Sequence, residues 1–183
     1  RPRAAERKIL DAWHRSLVVL HRAHWEAASY FEDRNFWLGL AAAVVSAVAG
    51  TTVFATLEGS PSVLVRGLVG AFSIIAAMLS AIQAFLRSSE VAARHKAAGV
   101  KFGQLRREIE QTQLVGLPTG ATEKEAALKD FRDRWDEAES SVAPVPGAIF
   151  KRVSRNVAKY EGERQDSPPP GEAASGPATA KRS

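Results

Sequence analysis

Two stretches without a charged residue, Phe36 to Leu57 and Gly67 to Leu86, decide what this chain can fold into. They are 22 and 20 residues long. As helices they span about 33 and 30 Å, which matches a bilayer core of about 30 Å. A soluble core helix of that length carries a charged stripe toward water, and neither run has one. Phe36 and Trp37 open the first run, where an interfacial aromatic belt belongs. The alternative is a soluble protein that hides this hairpin before insertion. It asks the remaining helices to wrap both runs, and they are too few.

The segment between the runs, 58–66, is a short turn built on Gly59-Ser60-Pro61. Pro61 stops the second helix from extending back into the first. Val63-Leu64-Val65 can extend the second span, with Arg66 snorkelling. Lys and Arg number seven before Phe36, one between the runs and seventeen after Leu86. The positive-inside rule then places both termini in the cytoplasm and the turn outside. The first apolar run is too long for the h-region of a signal peptide, so none is expected.

Each run carries a stripe of small residues. In the first it is Gly39, Ala43, Ser46 and Gly50. In the second it is Gly70, Ser73, Ala77, Ser80 and Ala84, spaced 3, 4, 3, 4, opposite a bulky face of Leu68, Phe72, Ile75, Leu79, Ile82 and Leu86. Small faces let helix backbones approach closely in lipid. Two uses compete: packing between helices, and lining a pore. No ionisable residue lies inside either run, which argues against a proton relay or an ion-coupled transporter.

The flanking segments read as helices that continue straight out of the spans and pair as an antiparallel stalk. Leu10, Trp13, Leu17, Leu20, His24, Ala27 and Phe31 repeat at 3, 4 spacing, a heptad seam. Val91, His95, Ala98, Phe102, Leu105 and Ile109 repeat likewise after the second span. Gly99 and Gly103 weaken that helix or permit close approach. A third helix follows "GLPTGAT", with Thr122 as N-cap and Glu125 completing a capping box. Its seam is Leu128, Phe131, Trp135, Ala138 and Val142. A fourth, after Pro144 and Pro146, sets Phe150, Val153, Val157 and Tyr160 against a basic face of Lys151, Arg152, Arg155 and Lys159. That helix either lies on an anionic leaflet or docks on the bundle. The fold class is therefore an all-α membrane protein. A cytoplasmic N-terminal helix (4–35) precedes a transmembrane hairpin (36–86, with spans 36–57 and 67–86), then cytoplasmic helices (87–160) and a disordered Pro/Gly/Ser/Ala-rich tail (161–183).

His24 and His95 fall on the two facing seams, 12 residues before Phe36 and 9 after Leu86. On straight helices their heights differ by about 4.5 Å, roughly one turn. They are expected either to form a polar layer in the stalk or to be satisfied separately by nearby groups. If the layer switches, it does so between about pH 5.5 and 7.5, the range around the ordinary histidine pKa. His95→Phe is expected to remove that response.

Nothing in the chain signals catalysis. There is no Gly-rich phosphate loop, no nucleophile elbow and no acid pair in an apolar setting. His21 and His24 stand at i, i+3 without a third ligand. "RREIEQ" and "DFRDRWDEAE" read as solvated faces with i, i+4 pairs. The absence of cysteine excludes disulfides and Cys-ligated metal sites. A net charge of +5, evenly mixed with acids, is too mild for nucleic-acid binding. No enzyme activity, cofactor or metal is expected.

From about Leu10 to Val157 the chain resembles the SLATT family, the SMODS- and SLOG-associating two-transmembrane effector domains of bacteria. The resemblance rests on "NFWLGLAAAVVSAVAGTTVFATL", "AAMLSAIQAFLRSSEVAARHKAAGVKFGQLRREIEQ" and "RWDEAESSVAPVPGAIF". It implies an oligomeric pore-forming effector in antiviral or other conflict systems, which permeabilises or depolarises the membrane. The resemblance further implies a trigger from a partner protein or from a signal such as a nucleotide second messenger, made or sensed by a partner. The competing expectation is a non-conducting two-span anchor or scaffold whose cytoplasmic helices recruit partners. The partners expected either way are the lipid bilayer and further copies of this chain.

Overall fold

The structure is a computed structural model that describes residues 4–57 and 62–166, without the side chains of 52–57 and 164–166. It is all-helical, with no strand among the described residues. The elements are α1 (Ala4–Leu57), α2 (Val63–Leu86), α3 (Ser88–Val115), α4 (Ala121–Ser140) and α5 (Gly147–Asp166).

The 54-residue α1 is about 80 Å long and carries everything else. Its sequence holds no proline and no glycine before Gly39, so nothing interrupts it. Its C-terminal half pairs with α2, and its N-terminal half pairs with α3 and, on another side, with α5. Ser62 caps α2 by accepting a hydrogen bond from the Val65 N–H at 3.4 Å. The helix therefore takes in Val63-Leu64-Val65 and Arg66. Pro61 and the start of the turn lie outside the described residues.

The second long helix is not continuous. Arg87 sits in the left-handed region, at φ 43° and ψ 37°, and separates α2 from α3. This corrects the expectation of a straight exit. A non-glycine residue in that conformation costs roughly 1–2 kcal/mol. The break lets α3 take its own line along α1.

The core of the antiparallel α1–α3 pair is the expected seam. Leu10, Leu17, Ala98, Phe102, Leu105 and Ile109 are buried, with Trp13 and Leu20 packed against them. Close packing is possible because glycines face aromatic rings. A Cβ at Gly99 would stand 2.9 Å from Trp25 Nε1, and one at Gly103 would stand 3.0 Å from His21 Cε1. At this pair, close approach is what the glycines provide.

Gly116, at φ 96°, ends α3, and its N–H donates to the Thr112 carbonyl. α4 then starts at Ala121, with Gly120 as N-cap. Thr122 is already inside the helix, so the expected Thr122–Glu125 capping box does not form. α4 covers the distal end of the pair. Phe131 stacks on Trp13 at 5.3 Å, and Trp135 meets Trp13 edge-on at 6.4 Å. Arg134 forks onto Glu108 with contacts of 2.6 and 2.7 Å, a cross-helix pair within the two segments read as solvated faces.

α5 docks on α1 through Ile149, Val153 and Val157, against Ala23 and Ala27. Arg152 reaches Glu26 at 2.6 Å. Of the face expected from sequence, Phe150 and Tyr160 are exposed, and Ile149 takes the buried place. The docked arrangement holds α5 alongside α1. The helix continues to Asp166, so residues 161–166 of the expected disordered tail are helical. Residues 167–183 lie outside the described residues.

Candidate functional site

Two features concentrate the sequence-predicted residues: the α1–α2 hairpin and a histidine layer in the α1–α3 pair.

Among the described residues, one apolar segment is long enough to cross a membrane. It falls in Val63–Val115, and none of its apolar window is buried inside the chain. α2 buries no residue at all. Its half-buried positions are Val65, Val69, Phe72, Ala76, Leu79, Gln83 and Leu86, which mark the seam against α1. On α1 the matching positions are Leu38, Ala42, Val45 and Ala49. The bulky face expected on α2 is thus divided. Phe72, Leu79 and Leu86 turn toward α1, while Leu68, Ile75 and Ile82 are exposed.

The small stripes are not what holds this hairpin together. Gly70, Ser73, Ala77, Ser80 and Ala84 are all exposed, as are Ala43 and Ser46, while Gly39 and Gly50 flank the α1 seam half-buried. At 100° per residue, each stripe lies about a quarter-turn from its own seam. The helices run antiparallel, so both quarter-turns fall on the same side of the hairpin. A polar cavity of about 440 Å³ marks the end of that side nearest α3. Asn35 comes from α1, and Ser80, Gln83 and Ala84 from α2, with Arg87 and Glu90 at the helix break. Gln83 also lies over Gly39, where a Cβ would stand 3.1 Å from its amide nitrogen. Asn35 and Arg87 did not stand out in the sequence, because an isolated polar residue at the end of an apolar run looks like an ordinary boundary. Ser73 donates to the Val69 carbonyl at 2.9 Å, so its hydroxyl is satisfied by its own helix.

Farther along α1, His24 Nδ1 lies 2.9 Å from His95 Nδ1, with both side chains buried. One ring donates an Nδ1–H and the other accepts, so the two imidazoles are different tautomers. The expected offset of one turn is absent, since Arg87 breaks the straight path on which that count rested. The pair sits inside a ladder of rings. Phe102 stacks on His24 at 5.2 Å, and Phe31 stacks on His95 at 5.6 Å with planes 5° apart. The aromatic positions were legible as seam residues, but their stacking order was not.

This environment opposes charge. Burial pushes His24 down from the ordinary 6.5 to about 4, and the neighbouring His95 adds to the shift. Burial lowers His95 as well. The neutral pair already holds one proton between its Nδ1 atoms, so a first added proton must go to the bare Nε2 of the donating ring. A second would set two N–H groups against each other. The remaining histidines serve elsewhere. His21 Nδ1 donates to the Gly99 carbonyl at 2.8 Å, and His14 meets Glu110 at 3.0 Å.

Comparison with protein-family models, with curated proteins and with solved structures finds no match.

Proposed function

We propose that this chain is an oligomeric pore-forming effector of the bacterial inner membrane, of the SLATT type, with both termini in the cytoplasm. In this reading the α1–α2 hairpin spans the bilayer, and α3, α4, α5 and the first half of α1 form a cytoplasmic bundle. A partner protein or nucleotide signal acts on that bundle and opens a path that depolarises the cell.

The observation that carries the reading is the α2 surface. It exposes Val63, Leu64, Leu68, Ile74, Met78 and Phe85 on one side and an unbroken small-residue stripe on another. The apolar side suits lipid, where exposed Leu and Ile cost nothing relative to burial. The small side suits a second copy or a lumen, and the cavity with Asn35, Gln83 and Arg87 offers a polar mouth at its end. One helix pair encloses no lumen, so conduction requires several copies.

A non-conducting anchor draws support from Ser73, whose self-bonded hydroxyl makes the stripe less polar than its composition suggests. Planar-bilayer recording of the purified oligomer separates the two. Discrete conductance steps support the pore. A monodisperse, membrane-inserted oligomer that passes no current leaves the anchor.

A further inference from the structure

Beside the histidine layer, the α4–α5 connection stands away from α1 and leaves a cavity of about 350 Å³. Its walls are apolar: Leu20, Phe102, Val142, Pro144, Val145 and Phe150. Two polar side chains reach it. Glu139 lies on an exposed stretch of α4 at the mouth, and His24 is buried at the inner end. His24 is only 4% exposed, and its Nδ1 is taken by His95. Its Nε2 makes no hydrogen bond among the described residues. The fully buried side-chain nitrogen without a hydrogen bond among the described residues is Arg106 Nε, so His24 Nε2 is not sealed off but reachable from the cavity, where a ligand group can replace water. A second groove, of about 450 Å³, adjoins the first through Leu20, Glu139 and Phe150 and lengthens the space available.

We infer that this cavity is a binding site for a small uncharged aromatic alcohol, whose ring lies against Phe102 and Phe150 and whose hydroxyl pairs with His24 Nε2. The volume exceeds the roughly 150 Å³ that accommodates benzene, and it falls in the range of small-molecule sites. A hydroxyl suits the nitrogen in either tautomer. It donates to a bare Nε2 and accepts from an Nε2–H. An anion is disfavoured, because the imidazole is neutral and Glu139 guards the mouth. A cation has no partner at the inner end. The site belongs to the helical bundle, so it does not depend on whether the hairpin conducts.

The test uses the full chain in lipid nanodiscs, ¹⁵N-labelled at histidine, with empty nanodiscs as baseline. 4-Fluorophenol and fluorobenzene, of nearly the same shape, are the probes. The site predicts a saturable shift of one histidine Nε2 with 4-fluorophenol, lost in His24→Phe. It also predicts about tenfold weaker binding of fluorobenzene, the factor one unmade buried hydrogen bond brings. Ala143→Phe fills the space from an exposed wall position, away from the imidazole pair. It should abolish binding while the Nδ1 resonances of the pair stay in place. Three results would overturn the inference: no saturable shift in the wild type, equal affinity for both probes, or undiminished binding in Ala143→Phe.

Discussion

Acidification should loosen the α1–α3 pair, and the histidine layer sets both the sign and the size of the effect. Unfolded, His24 takes a proton near pH 6.5. Folded, it resists until about 4. Between those values the unfolded chain holds more protons, so stability falls as pH falls. The contribution is fully present above 6.5 and lost as pH drops through that interval to about 4. With about 1.4 kcal/mol per pKa unit, the loss is on the order of 3 kcal/mol, and the lowered His95 adds in the same direction. The window thus moves to the acid side of the 5.5–7.5 range expected from an ordinary histidine. Burial is the larger cause, so His95→Phe alone leaves an imidazole that still resists protonation. The informative variant is therefore His24→Phe with His95→Phe, which keeps the ring ladder and removes both titrating groups. Other charges near the layer, Glu26 with Arg152, Glu32 with Lys96 and Glu139 on α4, stay the same in both proteins. Thermal melts followed by circular dichroism at pH 7 and pH 4.5 give the comparison. The wild type should lose about 5–10 °C more than the double variant, at roughly 2–4 °C per kcal/mol for a chain of this size. Superimposable pH profiles would refute the reasoning.

Phe102→Ala empties a fully buried site in the α1–α3 seam and should cost about 3–5 kcal/mol, read as a lower melting temperature. Gly99→Leu should destabilise by about 1–3 kcal/mol, because even its Cβ meets the Trp25 indole, and Trp25 fluorescence should report the displaced ring. Ala77→Leu with Ser80→Leu should reduce oligomer size in light scattering while leaving helix content unchanged, since neither residue faces α1. Unchanged size would remove the small stripe from the subunit interface.

The repeat of Leu10, Leu17 and His24 against His95, Phe102 and Ile109 was readable before any coordinates, because a 3, 4 spacing has one helical interpretation. A layer of His24 with His95 was one of the two outcomes that repeat allowed, but their level, direct contact was not. Straight helices set the two rings a turn apart, and nothing in "FLRSSE" forces the left-handed Arg87 that separates α2 from α3. Thr122 shows the opposite limit. A capping sequence is a local preference, and α4 begins two residues earlier than that preference asks, with Gly120 rather than Thr122 as N-cap. Ile149 displaced Phe150 from the α5 interface for a similar reason. Periodicity defines a face to within about one residue, and the partner surface of Ala23 and Ala27 selects which side chain fits.

Sequence alone determined the all-helical class, the two charge-free runs and the residues of the long seam. Each follows from composition and period along one chain. Only the tertiary structure decided which side of the hairpin stays uncovered, that His24 and His95 share a proton position, and that a cavity opens beside them. Those depend on the rotation and register of one helix against another, which the side chains of both settle together.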